Sequence, residues 1–253
     1  MLTDTHCHIH EADFPIPIDE VFAHAKAAGV TRMICVGTDE VTSEEAVEFS
    51  DQYENVWASI GLHPHDATRG TVAIDKLRDL LDKRAGKIVA IGECGLDYFY
   101  DNSPRERQIE MLEAQLQLAH DYNLPVVFHV REAFDDFWPI FHNFPGLRGE
   151  LHSFTDTRIN LEKGLSEGLY IGVNGISTFT KDARQQAVFA MIPLERLLLE
   201  TDAPFLTPTP HRGKVNEPAF VRHVAEYHAN QRGILLEHLA RATSANASTL
   251  FSL

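Results

Sequence analysis

Ile88-Val89-Ala90-Ile91-Gly92-Glu93-Cys94-Gly95-Leu96 is the stretch on which the reading of this chain turns. Its continuously apolar start is what a strand covered on both faces requires, as in the parallel sheets of α/β proteins. The carboxylate of Glu93 then sits inside an apolar run, where an ionised acid costs several kcal/mol unless it is paired or bound to a cation. Gly92 and Gly95 leave room around it for close backbone approach. A buried strand with an acid set near its C-terminal end suggests a site built on a parallel sheet.

Seven similar runs lie outward from this one, at residues 2–9, 32–38, 56–63, 126–131, 150–155, 169–174 and 197–202, and with 88–96 they make eight. Longer amphipathic stretches separate them, the pattern of βα units rather than of separate β and α regions. The clearest helix covers residues 103–122. Ser103-Pro104-Arg105-Glu106 has the spacing of a capping box with Pro at the first helical position, and Ile109, Leu112, Leu116 and Ala119 form one apolar face. Further helices are expected at about 217–230, before Gly233, and in a last segment ending near Phe251. Eight strands, each followed by a helix, in 253 residues match a single-domain α/β chain of the (β/α)8 TIM-barrel class spanning 1–253. An open doubly wound sheet fits less well, because no GxGxxG follows the first strand and no linker divides the chain.

Composition narrows the function. With 44% apolar and 23% charged residues the chain has the makings of a sizeable core. A net charge of −15 argues against a broad basic surface that wraps nucleic acid, although bound cations supply local positive charge that the formal count omits. Cys7, Cys35 and Cys94 form no CxxC pair and read as reduced thiols. No signal peptide is evident in residues 1–13, and apolar runs stop short of the ~20 residues of a membrane helix. These features lead us to expect a cytoplasmic enzyme, monomeric and without membrane contact.

The fourteen histidines carry the chemistry. Chance predicts roughly 0.8 HxH pairs in a chain of this composition, and there are three: His6/His8, His8/His10 and His63/His65. Residues i and i+2 of a strand share a face, so Asp4, His6 and His8 line up, and neutral imidazoles so placed converge on a divalent cation. His129, His152 and Asp202 each fall near the C-terminal end of a predicted strand, where barrel active sites are built. Any one of them alone reads as structural. Together, His6, His8, Glu93, His129, His152 and Asp202 supply enough donors for two divalent ions bridged by a carboxylate, with Zn, Mn or Mg all compatible.

The motifs DTHCH (4–8), GLHPH (61–65), GECGLDY (92–98), PVVFHVREA (125–133), ETDAP (200–204) and RGKVNEP (212–218) closely resemble those of the TatD family of metal-dependent deoxyribonucleases, and they span nearly the whole chain in family order. The family often has HCFTG where this chain reads HSFTD at 152–156, and RGKRNEP where it has Val215. The resemblance implies that His6 and His8 bind one metal, His129 and His152 a second, that Glu93 bridges them, and that Asp202 binds beside the reactive water. It also implies hydrolysis of DNA phosphodiesters, typically as a 3'-to-5' exonuclease, with single-stranded DNA or DNA ends as the expected substrate.

In that reaction Asp202 accepts or orients the proton of the attacking water, and Arg131, whose planar fork matches phosphate, stabilises the phosphoryl oxygens. An ion pair of Arg131 with Glu93 or Glu132 is the alternative. His63 is expected as a second-layer or phosphate contact. The run Tyr98-Phe99-Tyr100, Tyr98 foremost, is a candidate for stacking on bases, and Arg212 and Lys214 are candidate backbone contacts. Two other classes compete: a metal-dependent amidohydrolase or esterase acting on a small molecule, which often uses a modified lysine where this chain has Glu93, and a non-catalytic barrel used as a scaffold.

Overall fold

The computed structural model describes residues 1–84 and 86–253. Among them, eight strands are β1 (Leu2–Cys7), β2 (Val30–Val36), β3 (Val56–Ile60), β4 (Ile88–Asp97), β5 (Val126–Arg131), β6 (Gly149–Leu151), β7 (Tyr170–Val173) and β8 (Leu197–Leu199). Helical segments follow every strand, so eight βα repeats account for the chain, the make-up of a (β/α)8 barrel. No helix among the described residues is long and apolar enough to cross a membrane.

Contacts divide the chain into two compact units, residues 1–35 with 153–253, and residues 36–152. In the first, β1 pairs with β2 and β7 with β8, both in parallel. The last strand also meets the first: the His8 N–H donates to the Ala203 carbonyl and the Asp202 N–H to the His6 carbonyl, both at 2.8 Å. These two bonds fix the residues that follow β1 beside those that follow β8. Ile34, Leu198, Val224 and Phe251 lie in the interior of this unit.

In the second unit, β3, β4, β5 and β6 pair in sequence, all parallel. All ten residues of β4 are buried, as its apolar run requires. Gly95 stands opposite His129 in the β4–β5 register, and any side chain at Gly95 would collide with the His129 carbonyl. Gly92 is equally crowded by Val127. Both have positive φ, +155° and +136°, so steric room and backbone conformation demand glycine there independently. Phe128 and Phe137, fully buried and edge to face at 5.0 Å, anchor the core beneath β5. Burying each such side chain stabilises the fold by roughly 1.5–3 kcal/mol.

Three sequence expectations shift. The strand expected over 197–202 stops at Leu199, and that over 150–155 stops at Leu151. Asp202 and Ser153 adopt φ of +59° and +47°, which no extended strand can accommodate. The helix expected from Ser103 begins at Arg105 with Pro104 as its cap and no capping box. Ser103 instead donates from Oγ to the His65 carbonyl at 2.6 Å, and the Ser103 carbonyl is taken by Gln108. The long helix itself, Arg105–Tyr122, buries Leu112, Leu116 and Ala119 as its periodicity predicts.

Candidate active site

β1 and the segment after β8 set out the first group of donors. Asp4 is buried and does not join it: its carboxylate accepts from the Thr201 N–H at 2.8 Å and from Thr201 Oγ1 at 2.6 Å. Burial, the largest effect, raises its pKa to about 8. Asp4 therefore acts as a clamp that seats the Thr201-Asp202 segment beside β1. His6, the last but one residue of β1, and His8, just beyond it, then face one another through Nε2 atoms 3.2 Å apart. Asp202 Oδ1 lies 3.6 Å from His6 Nε2 and 3.4 Å from His8 Nε2. The left-handed φ of Asp202 is one that Asp and Asn tolerate better than other side chains with a Cβ.

Glu93 is the centre of the second group. Its Oε1 lies 2.7 Å from His129 Nδ1, 3.5 Å from His63 Nε2 and 3.8 Å from His152 Nε2. Behind His129 stands Asp97, whose Oδ2 is 2.9 Å from His129 Nε2 and 3.1 Å from His65 Nε2. Burial by itself disfavours the charge on Asp97, but hydrogen bonds from His129, the Tyr100 N–H and His65 outweigh it and hold this carboxyl well below the usual range. Burial likewise works against a charged His129, yet its bonds to Asp97 and Glu93 prevail and raise it to about 9.

Burial, helped by neighbouring His129, holds His63 down at about 4, so it is neutral at pH 7. The His63 Nδ1 accepts from the His65 N–H at 3.2 Å, which leaves the proton on Nε2 facing Glu93. His63 is thus an N–H donor beside Glu93.

Both groups suit a divalent cation. Ligands about 2.0–2.1 Å from a tetrahedral zinc-sized ion stand about 3.3 Å from one another, and the three donor atoms of His6, His8 and Asp202 are 3.2, 3.4 and 3.6 Å apart. His63, Glu93 and His129 form a further set of metal-binding dimensions, in which Glu93 and His129 are the donors while Nε2 of His63 carries a proton. His129 can surrender its Nδ1 proton while keeping Nε2–H on Asp97, the arrangement that orients ligating imidazoles.

The remaining expected contacts fall out unevenly. Arg131 makes no ion pair with Glu93 or Glu132; its guanidinium lies 3.9 Å from the Phe99 ring centre and 4.8 Å from that of Tyr100. Tyr98 is engaged at both ends, its hydroxyl donating to Asp136 at 2.7 Å and its ring covered by Arg105 at 4.0 Å. Arg212 donates to the Thr207 carbonyl at 2.7 Å and covers Phe179.

Sequence reasoning missed Asp97 and Glu200. Asp97 lies four residues from Glu93 on one strand, hence on the same face, a signal open to a stricter count. Buried Glu200 accepts from the Ser153 N–H at 2.8 Å and from Asn174 at 3.2 Å, tying the segment after β6 to that after β7. Only its place beside Asp202 hinted at it.

Parallel βα repeats that carry imidazoles and carboxylates at and just beyond their strand ends define the class, the metal-dependent hydrolases of the (β/α)8 barrel. The model of the TatD-related DNase family matches residues 3–252, and the chain belongs to that family. It is 38% identical to the "uncharacterized metal-dependent hydrolase YabD" of Bacillus subtilis, over 99% of both chains. It is also 38% identical to the "3'-5' ssDNA/RNA exonuclease TatD" of Erwinia amylovora, over 93% of each. Among solved structures, YjjV, a TatD homologue from Escherichia coli, superposes with a TM-score of 0.92 at 32% identity, covering 100% of this chain and 98% of the other. The fold is accordingly the TIM barrel.

Proposed function

We propose that this protein hydrolyses DNA phosphodiester bonds, removing nucleotides 3' to 5' from single strands or ends, with both units acting as one catalytic domain. In this reading His6, His8, Glu93, His129, His152 and Asp202 would hold two divalent cations of the Zn, Mn or Mg kind, Glu93 contributing a carboxylate. The observation that carries it is the spacing of His6, His8 and Asp202, 3.2 to 3.6 Å between donor atoms, which is the separation of ligands around one small cation. Membership of the family and the exonuclease names of relatives support the choice of a phosphodiester.

Divalent cations supply Lewis acidity: they lower the pKa of water and offset charge on phosphoryl oxygens. The chain's own groups supply the rest. Asp202 accepts or orients the proton of the attacking water. Asp97 holds His129 in one tautomer and orientation. Neutral His63 presents an N–H to the cluster without adding positive charge. Arg131, with no carboxylate partner among the described residues and its guanidinium lying over Phe99, is the group that would meet a phosphate.

The test is an end-labelled single strand incubated with Zn, Mn or Mg. Stepwise shortening from the 3' end, stopped by EDTA, is the expected result. A strand that stays intact under all three metals, together with turnover of an amide in a parallel substrate panel, would overturn the nuclease reading.

A further inference from the structure

The turn after β4 exposes the two rings that follow Tyr98. Phe99 is 51% and Tyr100 55% exposed, so half of each aromatic surface faces water, at a hydrophobic cost the fold does not recover. Neither ring hangs on a loose loop. Asp97 Oδ1 accepts the backbone N–H of Phe99 at 3.0 Å and of Tyr100 at 2.9 Å, while Oδ2 of the same carboxylate holds His129 and His65. Gln108 adds bonds to both the N–H and the carbonyl of Asp97. One buried side chain thus fixes a candidate metal ligand and a pair of half-exposed rings in a single rigid frame.

The rings meet edge to face at 4.9 Å, and Tyr100 meets His65 at 5.4 Å. Arg131 lies against both, two residues past His129 on β5, and has no ion-pair partner among the described residues. An unpaired guanidinium beside exposed rings offers a phosphate contact and a π surface at the same spot. Such pairing of charge and aromatic faces is what sequence-tolerant single-strand binding uses. In a duplex the faces of the bases are stacked on each other, so only an unpaired base can use such a surface.

We infer that Phe99 and Tyr100, flanked by Arg131, form a stacking platform for the unpaired terminal base of the strand being cut. The platform selects frayed or single-stranded ends over blunt duplex. It deepens the phosphodiesterase reading and rests on it for the identity of the ligand. Tyr98, less exposed than either ring and tied through its hydroxyl to Asp136, positions the turn and does not stack.

The experiment compares wild type, Phe99→Ala, Tyr100→Ala and Phe99→Trp on two labelled single strands, one ordinary and one whose last three nucleotides are abasic. On the ordinary strand each alanine variant should raise KM about 10-fold, with kcat within about twofold. On the abasic strand the same variants should match wild type, and Phe99→Trp should restore the ordinary KM. Equal effects of the alanine variants on both strands, or no effect on either, would overturn the platform. A strand ending in 2-aminopurine separates this inference from the nuclease reading. Quenching of its fluorescence by wild type but not by Phe99→Ala supports the platform even if no strand is cut, whereas absence of quenching overturns the platform even if strands are cut.

Discussion

Around Asp202, one carboxylate oxygen faces two imidazoles at 3.4 and 3.6 Å; around Glu93, one faces three, at 2.7 to 3.8 Å, and a second carboxylate stands behind. The two groups reach their geometry by different means. Backbone does the work near Asp202: the chain turns left-handed there, and the N–H groups of Thr201 and Asp202 are bonded to Asp4 and His6. Side chains do it near Glu93, through Asp97, His65 and Gln108. A donor held by backbone fails all at once when its functional atom is changed. One held by a layered side-chain network weakens by degrees, according to how far back the change is made.

Four substitutions sharpen or break that contrast. Asp202→Asn should give the largest effect: kcat on the labelled strand should fall about 10²–10⁴-fold, with thermal unfolding unchanged, because Asn accepts the same left-handed backbone. Retained turnover with metal present would remove Asp202 from the chemistry. Asp97→Asn comes next, with metal affinity by equilibrium dialysis reduced about 10–100-fold and activity recovered in excess metal. Failure of excess metal to restore it would mean that Asp97 does more than orient His129.

His65→Ala should act more weakly, since Asp97 keeps His129, two backbone N–H bonds and Gln108. Metal affinity should drop less than about threefold, a small fraction of what loss of an orienting partner costs. An effect as large as that of Asp97→Asn would show that the two imidazoles act as a unit.

The last substitution is at a residue bonded to neither group and serves as a control. His228 is buried, bonded to Ser177 at 3.0 Å, and burial holds its pKa down at about 3 against an ordinary 6.5. A histidine kept neutral by the fold contributes its stability fully above pH 6.5 and loses it as pH falls towards 3. Unfolding free energy should therefore drop between pH 7 and 5, by at most about 2 kcal/mol from this group. In His228→Gln the drop should be smaller by that amount in denaturant titrations at the two pH values, while metal binding stays as in wild type. An equal drop in both proteins would remove His228 as its source.

Much of this was legible without coordinates. The alternation of apolar runs with amphipathic stretches determined the number and order of the βα repeats, because a strand buried on both faces and a helix buried on one have different periods. Gly92 and Gly95 announced a tight approach beside Glu93, and the approach is there. His6, His8, Glu93, His129, His152 and Asp202 stood out because polar side chains rarely interrupt or end buried strands without a purpose.

Only the tertiary structure decided how those side chains are held and which neighbours are free. It made Asp4 a clamp, placed Asp97 behind His129, diverted Ser103 from a capping box to the His65 carbonyl, and tied the Tyr98 hydroxyl to Asp136 while leaving Phe99 and Tyr100 half exposed beside Arg131. Each outcome depends on a partner from another strand or on a backbone turn such as that at Asp202. Periodicity along one strand reports which face a residue is on, but whom it meets there is set by the register between strands, and that register exists only once the sheet has formed.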